Sequence, residues 1–246
     1  MRILIGIDDT DNLESRGTGW RARQLGKAIE AAGLGTVEGI TRHQLLVDPR
    51  IPYTSHNSSA CLEILGDDIG ALTGLCREFL LAESADGSDA GLAVGTSDQV
   101  DEAVEAWGGR AKREVLTKTE ARELASGKGI FLEGLTGTRD GIIGSLAAIG
   151  LRERGDDGRI IGTGRRDIRE LKGICTVHSL FEAVRLDAVT DRQGNPVPPD
   201  SRIDLGEWAR PVMIGQRITL IAEPVSETNS HEWRVATKEY IKGITG

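Results

Sequence analysis

The sequence predicts a mixed α/β fold of the layered α+β kind, on three observations. Short apolar runs ending in polar or glycine-rich turns alternate with segments of helical period through residue 165. Residues 60–116 read β-α-β-α-β, much of a ferredoxin-like unit. Apolar residues make up 39% of a 246-residue chain, enough to build a core without staples.

The elements follow in order. Residues 2–7 are a short apolar strand ended by carboxylates, and 18–32 suit a helix that Gly33 stops. Residues 36–47 read as extended, and a polar loop with Pro49 and Pro52 spans 48–59. A strand at 61–65 precedes a helix at about 67–82, whose Ile69, Leu72, Leu75, Cys76, Phe79 and Leu80 share one face. A strand at 91–95 follows, and Thr96 with Gln99 forms a capping-box pattern that opens a helix. Residues 113–116 read as extended, and Thr117 with Glu120 caps a short helix to about Ser126. Residues 130–135 are apolar and strand-like, 141–150 a glycine-rich helix, and Ile160-Ile161 a short strand. Beyond 173, strands are predicted at 181–188, 211–222 and 232–237, with a turn-rich stretch at 191–201.

Composition narrows the function. The net charge of −8 argues against nucleic acid as the main partner, because a phosphate backbone calls for a basic face. Three cysteines, Cys61, Cys76 and Cys175, form no CxxC pair and sit in apolar runs, which excludes a zinc ribbon and marks them as core residues. No apolar stretch has the length of a membrane span and no cleavable-signal pattern is seen, so a cytoplasmic protein without membrane contact is expected. His43, His178 and His231 lack ligand-spaced partners and read as structural, and Trp208 and Trp233 as core.

Three segments carry chemistry. In IGIDDTDNLESRGTG, residues 5–19, a buried strand delivers Asp8, Asp9 and Asp11 to its C-terminal end. Crowded carboxylates repel unless a cation sits among them, and Mg²⁺ takes oxygen ligands while sharing them with phosphates. Asp8, Asp9 and Asp11 are therefore the candidate metal ligands and catalytic groups, with Thr10, Gly17, Thr18 and Gly19 before a helix as the nucleotide-phosphate cradle. The segment lacks a Walker A motif, the kinase HRD and DFG elements, and a dinucleotide fingerprint. In the loop leading to the strand at 61, Tyr53, Thr54, His56, Asn57 and Ser58 are candidate substrate-binding residues, with Ser55 beside them. In LTGTRDGIIGSLAAIG, residues 135–150, Asp140 caps a helix whose glycines permit close approach, and Arg139 can reach a phosphate. Arg165, next to Arg166, is a second candidate phosphate clamp.

Together these segments resemble, in order, archaeal tRNA-isoleucine agmatidine synthetases. The matching stretches are GIDDTD at 6–11, DPRIPYTSHN at 48–57 and GTRDGIIGSLAAIG at 137–150, over roughly residues 1–165. The resemblance implies ATP and Mg²⁺ as cofactors, with a kinase-like domain and a ferredoxin-like domain. Under it, Asp8, Asp9 and Asp11 bind the metal and position ATP, Gly17 and Gly19 lie near the phosphates, and the 52–58 loop lines the amine-entry cleft. On this basis the expected layout is a kinase-like domain at 1–58 and 118–172, a ferredoxin-like unit at 59–117 and a β-rich segment at 173–246. The family's Gly-Met-Cys-Thr-Thr turn, with its phosphorylated threonine, is here Arg16-Gly17-Thr18-Gly19-Trp20, and the family's zinc ribbon has no counterpart.

Three functions stand open. One is an ATP- and Mg²⁺-dependent enzyme that activates a carbonyl or hydroxyl of a small molecule by phosphoryl or nucleotidyl transfer. The second is tRNA wobble-cytidine modification, with tRNA as partner. The third is a nucleotide-binding sensor without turnover.

Overall fold

The computed structural model describes residues 1–54, 56–164, 166–225 and 232–246; Ser55, Arg165 and His231 lie outside the described residues. The chain divides into two compact units, Met1–Arg154 and Gly155–Gly246. The fold is α+β, as the sequence predicts.

In the first unit, β1 (Arg2–Asp8), α1 (Thr18–Ala31), β2 (Thr36–Gln44), β3 (Ser58–Leu65), α2 (Ile69–Glu83) and β4 (Gly91–Thr96) follow one another. After them come α3 (Glu102–Ala111), α4 (Lys118–Lys128), β5 (Phe131–Gly134) and α5 (Ile142–Arg154). The sheet order is β5-β4-β1-β3-β2, and all neighbours are antiparallel. Both faces of β1 are buried because helices cover both sides of the sheet. Gly26 of α1 lies over Val37, Ile40 and Leu62, and β1 presents Ile5 beside Leu62. On the other face Leu4, Cys61 and Ala93 pack with Leu146, Ala147 and Ile149 of α5, which α3 covers in turn. Each large aliphatic side chain buried here contributes about 1.5–3 kcal/mol.

Helix α5 lies so close to the sheet that side chains are excluded at the contacts. A Cβ on Gly6 would collide with the carbonyl of Ser145, and one on Gly91 with the backbone of Gly141. The helix boundaries follow local chemistry. Asp68 caps α2 by accepting from the Ala71 N–H at 2.9 Å, and Thr117 with Glu120 forms the predicted capping box of α4.

Two local expectations change. The Thr96–Gln99 box closes a single 3-10 turn, Ser97–Gln99, and α3 starts later under Asp101. The strand expected at 113–116 is absent. Arg113, Glu114 and Val115 are exposed, and the Arg110 carbonyl accepts the N–H groups of Arg113 and Glu114, so no alternating buried face exists for a strand to use. The β-α-β-β-α-β connectivity with spatial order 4-1-3-2 therefore runs over Arg2–Thr96 and not over 59–117. Within the first unit β1 pairs directly with β3 and β4, so the strands of residues 1–8 and 58–96 share one sheet.

The second unit holds β6 (Arg159–Gly162), β7 (Ile174–Thr176), α6 (Val177–Ala183), β8 (Ala188–Thr190), β9 (Arg202–Asp204), β10 (Val212–Ile214), β11 (Arg217–Pro224), β12 (Trp233–Val235) and α7 (Lys238–Thr245). Its strand order is β6-β10-β11-β12-β9-β7, with β8 parallel to β11. The strand expected at 181–188 is mostly α6 and its exit: Val177, Leu180 and Val184 are buried at helical spacing, and Thr176 caps them. The 211–222 run is a hairpin, turned by Gly215 and Gln216, both with positive φ. Among the described residues no helix is long and apolar enough to cross a membrane.

Candidate active site

The site is built where β1 ends. Antiparallel pairing places the start of β4 beside that end, with Asp8 opposite Gly91, so Asp89 arrives next to the aspartate cluster. Asp9 takes a left-handed conformation, φ 49°, which aspartate tolerates better than most residues. This turn leads into Thr10 and Asp11.

Asp11 ties two segments together. Its Oδ1 accepts from the Thr18 N–H at 3.0 Å and from Thr18 Oγ1 at 2.8 Å. Its Oδ2 accepts from Thr54 Oγ1 at 2.8 Å. The carboxylate thus sits at the N-terminus of α1, where the helix dipole favours an anion. Thr10 Oγ1 donates to Thr18 Oγ1 at 3.1 Å and completes the knot. Asn57 closes the neck of the 45–57 loop, donating Nδ2 to the Leu46 carbonyl at 2.6 Å and accepting the Leu45 N–H on its own carbonyl at 2.9 Å.

The third wall comes from the turn before α5. Asp89 accepts the Thr138 N–H through Oδ1, and its carbonyl accepts the Gly141 N–H at 3.0 Å. Asp140 accepts from Thr138 Oγ1 at 2.7 Å and pairs with Lys118 at 2.8 Å. Gly144 lies against Asp8, and any Cβ there would collide with its carboxylate.

These walls enclose a cavity of about 390 Å³. Asp8, Asp9, Asp11, Asp89 and Asp140 line one part, and Leu45, Ile51, Tyr53, Leu116 and Ile143 form an apolar part. Of the sequence candidates, Asp8, Asp9, Asp11, Tyr53, Thr54 and Asn57 line it; Thr10, Gly17, Thr18, Gly19, His56, Ser58 and Arg139 do not. Thr18 and Thr10 act instead through Asp11, and Arg139 is exposed on a left-handed turn, φ 66°. Arg165 lies outside the described residues. Asp89 and Lys118 are the residues that sequence reasoning missed; the usable signal for Asp89 was a carboxylate two residues before a strand that pairs with β1.

The electrostatics are unusual. Burial, then the adjacent Asp9 and Asp11, hold the Asp8 carboxyl well above the usual carboxylate range, against smaller help from the Asp9 N–H and Arg42. Burial, then Asp89, Asp11 and Asp140, push Asp9 up to about 7. Asp140 goes the other way: burial opposes ionisation, but the hydrogen bonds from Lys118 and Thr138 lower it. Among the described residues no three acidic, histidine or cysteine side chains converge closely enough to hold a metal ion as they stand. The donor chemistry nevertheless fits Mg²⁺, because Asp8, Asp9 and Asp89 are hard oxygen donors lining one cavity, and the ionised forms of Asp8 and Asp9 are disfavoured by burial and like charges that a cation would offset. Asp11 accepts hydrogen bonds on both oxygens, from Thr18 and Thr54, and an ionised carboxylate with such bonds still has a lone pair to offer.

No known protein-family profile matches the chain. An uncharacterized protein of Methanocaldococcus jannaschii is 29% identical over 154 residues, which is 62% of this chain and 50% of that protein. Among solved structures, apo TiaS, a tRNA agmatidine synthetase, is 25% identical with a TM-score of 0.53 over 61% of this chain and 35% of its own. The complex of TiaS with tRNA and ATP is 26% identical with a TM-score of 0.54, over 61% of this chain and 36% of its own. The chain resembles the catalytic part of TiaS. It spans about a third of the TiaS chain (35–36%) and half of the M. jannaschii protein (50%).

Proposed function

We propose that the Met1–Arg154 unit is an ATP- and Mg²⁺-dependent group-transfer enzyme that activates a carbonyl or hydroxyl oxygen of a small-molecule acceptor. The observation that carries it is the cavity lined by Asp8, Asp9 and Asp89 together with apolar side chains, in which burial and neighbouring carboxylates hold Asp8 and Asp9 above the usual carboxylate range. Asp8, Asp9 and Asp89 hold the metal. Mg²⁺ bound there supplies charge for the phosphates and polarises the phosphorus that is attacked. Asp11 fixes the Tyr53–Thr54 loop against α1 through its bonds to Thr18 and Thr54. Arg139, on the exposed turn before Asp140, is available to the phosphates. Tyr53 and Asn57 border the acceptor, whose oxygen attacks phosphorus while ADP leaves from the β–γ bond, or pyrophosphate from the α–β bond. Positioning and charge stabilisation provide most of the rate in such transfers.

A second reading keeps a tRNA acceptor. The 26% identity and TM-score of 0.54 to the TiaS complex with tRNA and ATP favour it. A salt-sensitive tRNA gel shift supports this acceptor, and no shift at low salt removes it. The primary test is ATP turnover with Mg²⁺, following ADP, AMP, phosphate and pyrophosphate with and without an acceptor. Loss of about a hundredfold or more in Asp8→Asn is expected, on the scale of removing a key electrostatic group. Full turnover in Asp8→Asn contradicts the proposal.

A further inference from the structure

Asp8 has an unusual set of neighbours on its own face of the sheet. Gly6 precedes it on β1, Gly91 lies opposite on β4, and Gly144 of α5 covers it. None of these carries a side chain. The remaining lateral neighbour is Ser59 on β3: β1 and β3 pair through Ile7 and Ala60, and the next step of that antiparallel register sets Asp8 opposite Ser59. Directly opposed residues share a face, with Cβ atoms about 4.5–5.5 Å apart.

Ser59 is 0% exposed, and its hydroxyl has no hydrogen-bond partner. A buried, unpaired hydroxyl is costly, and such groups call for an explanation. Its neighbour across β2 is His43, whose Nε2 is already taken up by Thr41 Oγ1 at 2.8 Å. Ser59 therefore holds an unused side-chain donor within a strand spacing of the Asp8 carboxylate.

We propose that Ser59 is a positioning residue for Asp8: its hydroxyl rotates about χ1 to the carboxylate when a divalent cation is bound, and fixes the orientation in which Asp8 meets that cation. The inference rests on the nucleotide–metal reading above. It separates two roles cleanly. A hydroxyl that only fills space without a partner can be removed without harm, so Ser59→Ala folds and keeps or raises its Tm.

The test is Mn²⁺ affinity of the full chain by electron paramagnetic resonance, with Tm measured alongside, for wild type, Ser59→Ala and Ser59→Thr. The expected result is a Tm at or above wild type in Ser59→Ala with Mn²⁺ binding about tenfold weaker, the scale of a hydrogen bond to a charged group, and recovery of binding in Ser59→Thr. Unchanged Mn²⁺ affinity in Ser59→Ala overturns the positioning role, as does a loss of binding that tracks a loss of Tm. Absence of Mn²⁺ binding in wild type fails the metal reading itself, and the inference falls with it.

Discussion

Two buried carboxylates, one in each unit, are treated in opposite ways. Glu223 on β11 accepts from Arg192 Nε at 3.1 Å, from Arg234 at 3.2 Å and from the Thr237 N–H at 3.2 Å. Burial opposes its ionisation, yet these donors hold it below the usual range. Asp8 is as buried but is surrounded by Asp9, Asp11 and three glycines. A carboxylate that serves the fold is neutralised by the fold. One left among like charges with little compensation is where the proposed cation would act.

The largest effect that sharpens this contrast is on the close approach at Asp8. Gly144→Ala drives a Cβ into the Asp8 carboxylate and is expected to lower stability by about 1–3 kcal/mol while abolishing cation binding. Urea unfolding together with Mn²⁺ titration checks both; wild-type behaviour in the two assays breaks the account of α5. Next is Glu223→Gln, expected to lower stability by about 1–2 kcal/mol, a modest figure because both arginines are largely exposed. Nucleotide turnover should be untouched, and a drop in it would erase the distinction between the two carboxylates.

The smallest effect is in pH dependence. Asp9 has its folded pKa raised to about 7, so its contribution to stability is present below its unfolded value and is lost as pH rises toward 7. Glu223 has its folded pKa depressed, so its contribution is present above the ordinary glutamate range and is lost as pH falls through it. Without divalent cation, the urea midpoint should therefore fall between about pH 5 and about pH 8, and Asp9→Asn or added Mg²⁺ should flatten that fall. A midpoint that rises over this window contradicts the assigned origin.

The legible part of the site was its local part. Asp8, Asp9 and Asp11 could be read because an apolar strand ends on them, and the tight helix at 142–154 because GIIGSLAAIG has no other use for its glycines. Asp89 was hidden because its neighbours are set by the β1–β4 pairing, in which Asp8 faces Gly91 across a sequence separation that no local pattern records. That Asp11 folds back onto the helix end after Gly17 was hidden for a similar reason, since it needs a loop closure that no local pattern records. In the fold, the ferredoxin-like connectivity was assigned to 59–117 because 113–116 has strand-like composition, although its residues lie mostly exposed on a turn. The last residues of α6, 181–183, were read as the start of a strand because three-residue elements such as β7 and β9 leave no periodicity against which to set a short helix.

Calorimetric titration with ATP in the presence of Mg²⁺ or of EDTA, on wild type, Asp8→Asn and Glu223→Gln, tests the central claim most directly. ATP binding that requires Mg²⁺, disappears in Asp8→Asn and persists in Glu223→Gln is the predicted result. Equal affinity in EDTA, or an Asp8→Asn variant that binds like wild type, would contradict it.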